Sequence, residues 1–432
     1  MSFPLLDWAG RFISTPSVSR EGNREVAELA VEMLRSIGLD PVLDPACGKD
    51  RTQVNVVADL GRPTARSGGL LLVTHLDTVP PGDPSRWTAT AGDPFAPTLV
   101  GDRLYGLGSA DAKVDLCCKA VGLASLAGQP LRHPVRVVAT FGEEIGLLGA
   151  RHLCANGGAR GFEMALVGEP SGLTAIHAHK GYAVFEARLP VRAESTRAGD
   201  SELLEVAGES AHSSTPHLGR NAIEVALERI ARAGEVGVAA LEGGGSVNQV
   251  PDRCRVQLGR GYPAGPLAAF HTAWRRLRAS LEERRDPRFD PPFTVGNLGR
   301  VELRDRRPVF RFDLRPVPGV DPIAAVAPLQ ESAEVELLRA NPPLETDSDG
   351  PLMRTLCASM QALGLPVRTG TKATCTEAGL LSREGLQAVV IGAGESVGNV
   401  HRPNEHTLVS QLHQMSELYT RALQRLACGG PA

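Results

Sequence analysis

Hydrophobic positions along this chain follow two periods. From 24 to 37 they recur at i, i+3 and i+4, where Val26, Leu29, Ala30, Met33, Leu34 and Ile37 make the stripe of an amphipathic helix that Gly38 stops. Elsewhere they bunch into short strand-like runs: VNVVADL at 54–60, LLLVT at 70–74, MALVG at 164–168 and AVVIG at 388–392. Another run, VRVVATF at 135–141, is nearly continuous, as strands of a parallel sheet buried on both faces are. Residues 103–128 read as a short strand, a Gly-Ser-Ala turn and a helix beginning near Asp111; 220–233 read as a helix with Ile223, Leu227 and Ile230 on one face. A Pro- and Gly-rich loop at 80–97 holds Trp87, and either walls in a substrate or is a surface excursion.

What ends these runs changes the picture. LLLVT leads into His75 and Asp77, which at i and i+2 of a strand share one face at its carboxyl end, where α/β sheets carry their sites. A neutral imidazole ligates metals, and a carboxylate two residues on can take its other ring N–H. Alone, the pair reads equally as a satisfied structural histidine beside a helix-capping aspartate. Four further places repeat the arrangement. Asp111 follows a strand and turn, although an aspartate at a helix start is often just a cap. Glu143 and Glu144 follow 135–141, Glu169 follows 164–168, and His401 follows the Gly-rich loop after 388–392, with Glu405 leading into a final amphipathic helix. Of two adjacent carboxylates, one can bind a metal while its neighbour handles protons. His75, Asp111, Glu144, Glu169 and His401 are too many ligands for one ion. Two Zn2+ about 3.5 Å apart, bridged by one carboxylate, can use them all, and Co2+ or Mn2+ suits the same N/O set.

At 432 residues, with 42% hydrophobic and 22% charged, the chain should form two domains of ordinary soluble composition. Its 46 basic and 49 acidic residues are spread along the sequence to a net charge of -3, which offers no footprint for nucleic acid or an anionic membrane. No apolar run approaches the roughly 18 residues of a membrane span. MSFPLLDWAGRF has no basic region ahead of an apolar core, so no secretory leader and a cytoplasmic location are expected. The eight cysteines (47, 117, 118, 154, 254, 357, 375, 428) show no CxxC and read as reduced and mostly buried. Cys117 and Cys118 lie near the candidate site, but nothing pairs them with a base at a known spacing for thiol nucleophilic chemistry.

In order along the chain, HLDTVP (75–80), GLGSADAK (106–113), FGEE (141–144), GEPS (168–171), AHKG (178–181), ESAHSSTPHLGRNAI (209–223) and HRPNE (401–405) resemble the motifs of the di-zinc M20 metallopeptidases. That family includes acetylornithine deacetylase, succinyl-diaminopimelate desuccinylase, aminoacylase and carboxypeptidase G-type enzymes. RWTATAGDPF, RLYGLGSAD, AHKG, CTEA (375–378) and FDLRPVPG (312–319) look most like its acetylornithine deacetylase branch. The resemblance implies an α/β fold: a phosphorylase/hydrolase-like catalytic domain with a mixed sheet flanked by helices, from 1–181 and 342–432, and an inserted α+β ferredoxin-like lid and dimerisation domain from 182 to 341. It also implies a homodimer acting on a small N-acyl amino acid. Two Zn2+ per chain would be held by His75 and Glu169 on one side and Glu144 and His401 on the other, with Asp111 bridging. Asp77 would orient His75, and Glu143 would be the general base. His212, in the AHSS turn, would reach the partner's site and donate to the oxyanion, where its plainer reading is a loop residue before a helix.

The chain departs from the pattern in places. Val114 stands where the family usually has glycine, and 191–205 looks like an insertion. The block in which an Asn-x-x-Pro strand runs straight into Asp-x-Arg is split here, with Asn248-Gln-Val-Pro251 about 60 residues before Asp313-Leu-Arg315 and an Arg-rich segment, 259–292, in between. Asn248 is expected as an oxyanion or substrate contact and Arg315 as a partner for a substrate carboxylate.

Overall fold

The computed structural model describes residues 3–46, 52–62, 68–193 and 201–429; Cys47 and residues 194–200 of the polar stretch lie outside the described residues. The chain divides into two compact units. Met1–Ala178, Leu344–Thr371 and Thr376–Ala432 form the first; His179–Pro343 with Lys372–Cys375 forms the second.

The first unit is built on a nine-stranded mixed sheet. Its path runs Val42–Pro45, Val54–Leu60, Val135–Thr140, Gly69–His75, Phe162–Gly168, Gln387–Val390, Ala175–His179 and Leu344–Glu345, with Thr369–Lys372 beside Ala175–His179. The four strands from Val135–Thr140 to Gln387–Val390 are mutually parallel, so their carboxyl ends open on one edge. The pairings of Val42–Pro45 with Val54–Leu60, of Val54–Leu60 with Val135–Thr140 and of Gln387–Val390 with Ala175–His179 are antiparallel. Leu70 to Val73 are fully buried because both faces are covered. Leu70 and Leu72 join a core made with the helices Leu5–Ser14, Arg24–Ser36, Asp115–Ala124, Pro351–Ala362 and Val409–Cys428. Leu71 and Val73 pack on the opposite face with Leu153 and Leu381, from the helices Leu148–Ala155 and Ala378–Arg383. Each such leucine contributes about 1.5–3 kcal/mol by leaving water.

Several boundaries differ from the sequence reading. The third helix begins at Asp115, not near Asp111, so Asp111 sits in an irregular turn rather than at a cap. Val114, in the place of the usual glycine, is fully buried in the core. The His75 strand ends at His75, leaving Asp77 in the loop beyond it. A three-residue strand, His406–Leu408, separates Glu405 from the last helix and pairs with Arg103–Tyr105. Trp87 is buried, its indole N–H donating to Pro81 O at 2.8 Å, so it holds the 80–97 loop together from within.

The second unit carries an eight-stranded sheet in the order Glu202–Ala207, Arg253–Gly259, Gly237–Gly243, Val295–Arg304, Arg307–Arg315, Tyr182–Arg188 and Glu334–Asn341, with Tyr262–Pro263 beside Gly237–Gly243. Two helices, Ala222–Ala233 and Ala264–Leu281, contribute to its core. The second of these is the Arg-rich segment: Leu267, Phe270, Trp274 and Leu277 face inward, with Phe270 on Phe310 at 4.3 Å and Trp274 edge-on to Phe312 at 5.3 Å. Asn221 caps the first, its side-chain oxygen accepting from Ile223 N and Glu224 N.

Candidate metal centre

Four parallel strands deliver the candidate ligands from their carboxyl ends. His75 is the last residue of its strand; Glu143 and Glu144 follow Val135–Thr140; Glu169 follows Phe162–Gly168; and His401 stands in the loop after Gln387–Val390. The arrangement matches the rule that parallel sheets bind at strand C-termini.

The side chains form two triads that share Asp111, and in each the donor atoms lie within 4.8 Å of one another. His75 Nε2 is 3.1 Å from Asp111 Oδ1 and 4.0 Å from Glu169 Oε1. His401 Nε2 is 3.1 Å from Asp111 Oδ2 and 3.0 Å from Glu144 Oε1. The two oxygens of one carboxylate thus face two different imidazoles. Tetrahedral Zn2+ with bonds of about 2.0–2.2 Å would hold its donors roughly 3.3–3.6 Å apart, so both triads suit a divalent ion in size and in donor type.

Electrostatics favour a cation as well. Burial opposes a charged imidazole at His75, yet Asp111 and Asp77 outweigh it and carry its pKa well above the usual value. Burial likewise opposes charge at His401, but Asp111 and Glu144 raise it to about 11. At Asp111 burial is overcome by His401 and His75, which hold its carboxyl well below the usual range. Burial, then Glu169 and Glu144, push Glu143 well up, and burial raises Glu144 too. These directions describe a carboxylate-rich cluster that favours positive charge, which two divalent ions would supply.

Two carboxylates set the loops that bear these ligands. His75 Nδ1 donates to the main-chain oxygen of Asp77 at 3.0 Å, while the Asp77 carboxylate lies 3.7 Å away. That carboxylate accepts instead from Glu143 N at 3.0 Å, Glu144 N at 3.3 Å and the Ser19 hydroxyl at 2.6 Å. Glu405, to which the sequence reading gave no role at the site, accepts with one oxygen from Gly108 N, Ala110 N and Asp111 N at 3.0, 3.0 and 3.1 Å. Asn404 ties the His401 loop to Thr88 and Ala89, and His401 itself holds a left-handed backbone, φ 58°, of the kind that persists where surrounding contacts enforce it. Beneath the His75 strand, buried Lys119 donates to Val73 O, Thr74 Oγ1 and Asp115, and the Tyr419 hydroxyl donates to Asp115. Cys117 and Cys118 are fully buried in this layer, and burial pushes both thiols up, away from the thiolate a nucleophile needs.

His212, Asn248 and Arg315 lie in the second unit, gathered around Ser213. Ser213 N donates to Asn248 O at 2.9 Å; its hydroxyl donates to Asp313 Oδ2 at 2.6 Å and accepts from Arg315 Nη2 at 2.9 Å. Arg315 also donates to Asp313 at 3.0 Å and stacks 3.8 Å over the Tyr182 ring. The split motif is therefore rejoined in space through one serine. His212 is exposed and accepts on Nδ1 from Ser214 N at 3.2 Å, which makes Nε2 the protonated nitrogen of the neutral ring. Asn248 is exposed beside Ser246, its side-chain oxygen accepting from that hydroxyl.

The profile of peptidase family M20/M25/M40 matches residues 71–425. An acetylornithine deacetylase from Edwardsiella ictaluri is 29% identical over 423 residues, covering 91% of this chain and 90% of that protein. Among solved structures, aminoacylhistidine dipeptidase from Vibrio alginolyticus superposes with a TM-score of 0.67 at 17% identity, covering 98% of this chain and 96% of that one. An M20 metallo-carboxypeptidase from Sulfolobus solfataricus gives 0.65 at 18%, covering 98% and 99%. No helix among the described residues is long and apolar enough to cross a membrane. With a family match over most of its length and a two-triad cradle at the strand ends, the chain belongs to peptidase family M20/M25/M40 and is a metal-dependent hydrolase of that family.

Proposed function

We propose that this protein is a two-metal amidohydrolase that removes the acyl group from an N-acyl amino acid, N-acetylornithine first. The observation that carries the reading is the pair of triads sharing Asp111, with Glu143 beside them but in neither. The substrate is supported by relatives named acetylornithine deacetylase, 27–29% identical over at least nine-tenths of this chain.

His75, Asp111 and Glu169 would hold one ion and Asp111, Glu144 and His401 the other, with Zn2+ the expected metal. Bound there, the ions supply Lewis-acid polarisation of the amide carbonyl and acidify the attacking water. Glu143, a carboxylate whose pKa burial and Glu169 push well up, is a stronger base than an ordinary carboxylate and so suited to accept a proton. It takes one proton from water as the oxygen–carbon bond forms, then returns it to the nitrogen as the carbon–nitrogen bond breaks. Asp77 keeps His75 and the Glu143 backbone in place. His212, through its Nε2–H, is assigned to the oxyanion in a second copy's site, which makes the second unit a lid that pairs two chains. Asn248 is assigned to substrate or oxyanion, and the free edge of the Arg315 guanidinium to a substrate carboxylate. Cytoplasmic placement is supported by the seven cysteines among the described residues, all of them free thiols.

The test is amine release from acetylornithine, succinyl-diaminopimelate and dipeptides, with and without a chelator, alongside elemental analysis. Two metal ions per chain and preferential, chelator-sensitive cleavage of acetylornithine are expected. A preference for succinyl or dipeptide substrates overturns the substrate assignment, and chelator-insensitive turnover overturns the chemistry.

A further inference from the structure

Glu377 lies just ahead of the helix Ala378–Arg383 and is fully buried, yet neither carboxylate oxygen has a hydrogen-bond partner among the described residues. The Thr140 hydroxyl faces it without reaching hydrogen-bond geometry, and Thr140 Oγ1 is orphaned as well. Lys119, the buried cation whose field it shares, already spends its ammonium on Val73 O, Thr74 Oγ1 and Asp115. Buried carboxylates are almost always paired, so this one needs a reason.

Local structure does not supply it. The start of the helix is held by the Thr376 hydroxyl, which accepts from Ala378 N at 3.2 Å, and by the Glu377 main-chain oxygen, which accepts from Leu380 N at 3.0 Å. Neither contact uses the Glu377 side chain. The charged groups that act on Glu377 are instead those of the cradle: His75, Asp77 and Glu169, while its own charge reaches Glu143. Thr140, its neighbour, pairs with His75 across the two parallel strands. The carboxylate thus lies within the electrostatic reach of the ligands and beside the residue paired with His75, so a cation held there would act on it as an uncommitted positive charge.

We propose that Glu377 is a positioning residue for the metal pair, a deliberately uncompensated buried carboxylate that strengthens cation binding at the His75 and His401 triads while destabilising the metal-free protein. Without ions it adds like charge to an already acidic cluster and has no hydrogen bond to offset desolvation. With ions bound, two divalent charges replace the imidazole protons in its field, and the net gain in positive charge makes the same carboxylate favourable. The inference rests on the two-ion reading above.

The experiment uses full-length protein stripped of metal, with Zn2+ affinity measured by competition against a chromophoric chelator and thermal unfolding followed before and after metal addition. Glu377→Gln, which keeps shape and removes charge, should weaken Zn2+ binding about ten- to a hundredfold. The same variant without metal should melt at a higher temperature than wild type. Glu377→Asp, which keeps the charge, should retain affinity within a few-fold. Unchanged Zn2+ affinity in Glu377→Gln, or equal losses in the Gln and Asp variants, overturns the proposal. So does a metal-free Glu377→Gln that melts below wild type, because the side chain is then structural. A wild-type stoichiometry of one ion instead sinks the two-metal reading and is seen before any variant is made.

Discussion

Compare the buried charge of the second unit with that of the first. Asp313 Oδ2, Arg315 and Ser213 pair with one another: the guanidinium bonds both partners and stacks on Tyr182, and the hydroxyl is shared between the acid and the base, while Asp313 Oδ1 is buried without a hydrogen-bond partner among the described residues. In the first unit Asp111, Glu143, Glu144, Glu169 and Glu377 share one charged neighbourhood with two imidazoles; burial pushes the carboxyls of Glu143, Glu144 and Glu377 up, and Asp111 and Glu144 draw the His401 imidazole toward its proton. A cluster of this kind holds its own counter-charge and fixes the chain, here the loop of His212, while one edge of its guanidinium stays available. An open one is completed only by something that binds.

Substitutions should therefore fail in different ways in the two units. The largest effect is expected for Asp111→Ala, which removes the shared ligand; elemental analysis should find both ions lost and turnover at background, whereas His401→Ala should retain one ion. Glu143→Ala comes next, with activity down about a hundredfold or more and two ions still bound. If that variant loses metal, Glu143 is a ligand and its assignment as base fails. In the second unit, Arg315→Ala leaves Asp313 buried without its cation and should cost about 3–5 kcal/mol in urea unfolding, with metal content untouched. Adding Asp313→Ala should recover part of that loss, and a double-mutant cycle showing no coupling would mean the cluster is not closed.

Mixing tests whether the units of two chains cooperate. Glu143→Ala and His212→Ala chains, each nearly inactive, should regain roughly a quarter of wild-type activity after subunit exchange, because half of the dimers are mixed and one of their two sites is intact. A mixture that stays dead despite proven exchange places His212 in its own chain's chemistry or outside it. The last expectation concerns pH and needs no substitution. In metal-free protein His401 titrates near 11 when folded and about 6.5 when unfolded, so its contribution is complete below about pH 6.5 and lost as pH rises toward 11. Zn2+ holds the imidazole neutral, so melting temperature measured against pH should fall across that window without metal and flatten with it.

The sequence made the strand ends legible because they are local: Leu70 to Val73 are an unbroken apolar run that ends two residues before His75, and similar runs precede Glu144 and Glu169. Asp111 was harder. Its turn looks like a helix start in sequence, but the carboxylate that holds its backbone N–H groups is Glu405, 294 residues away, and no local pattern announces such a partner. Asp77 was noticed for its spacing from His75, yet its carboxylate chiefly holds the backbone of Glu143 and Glu144. Glu377 was visible only as part of CTEA. Its significance lies in lacking a partner, and an absence of contacts cannot be read from residue order.

The separation between Glu405 and the turn it holds also sets a timetable for synthesis. His75, Asp111, Glu144 and Glu169 leave the ribosome close together, followed by the whole second unit, and only then by His401 and Glu405. At about 5–20 residues per second the delay between Glu169 and His401 is roughly 10–50 s. During that interval the nascent chain owns one complete triad, an Asp111 turn without its acceptor, and a core still lacking the helix Val409–Cys428. Hydrolytic competence is thus a property the polypeptide acquires last, after its second unit has had time to fold.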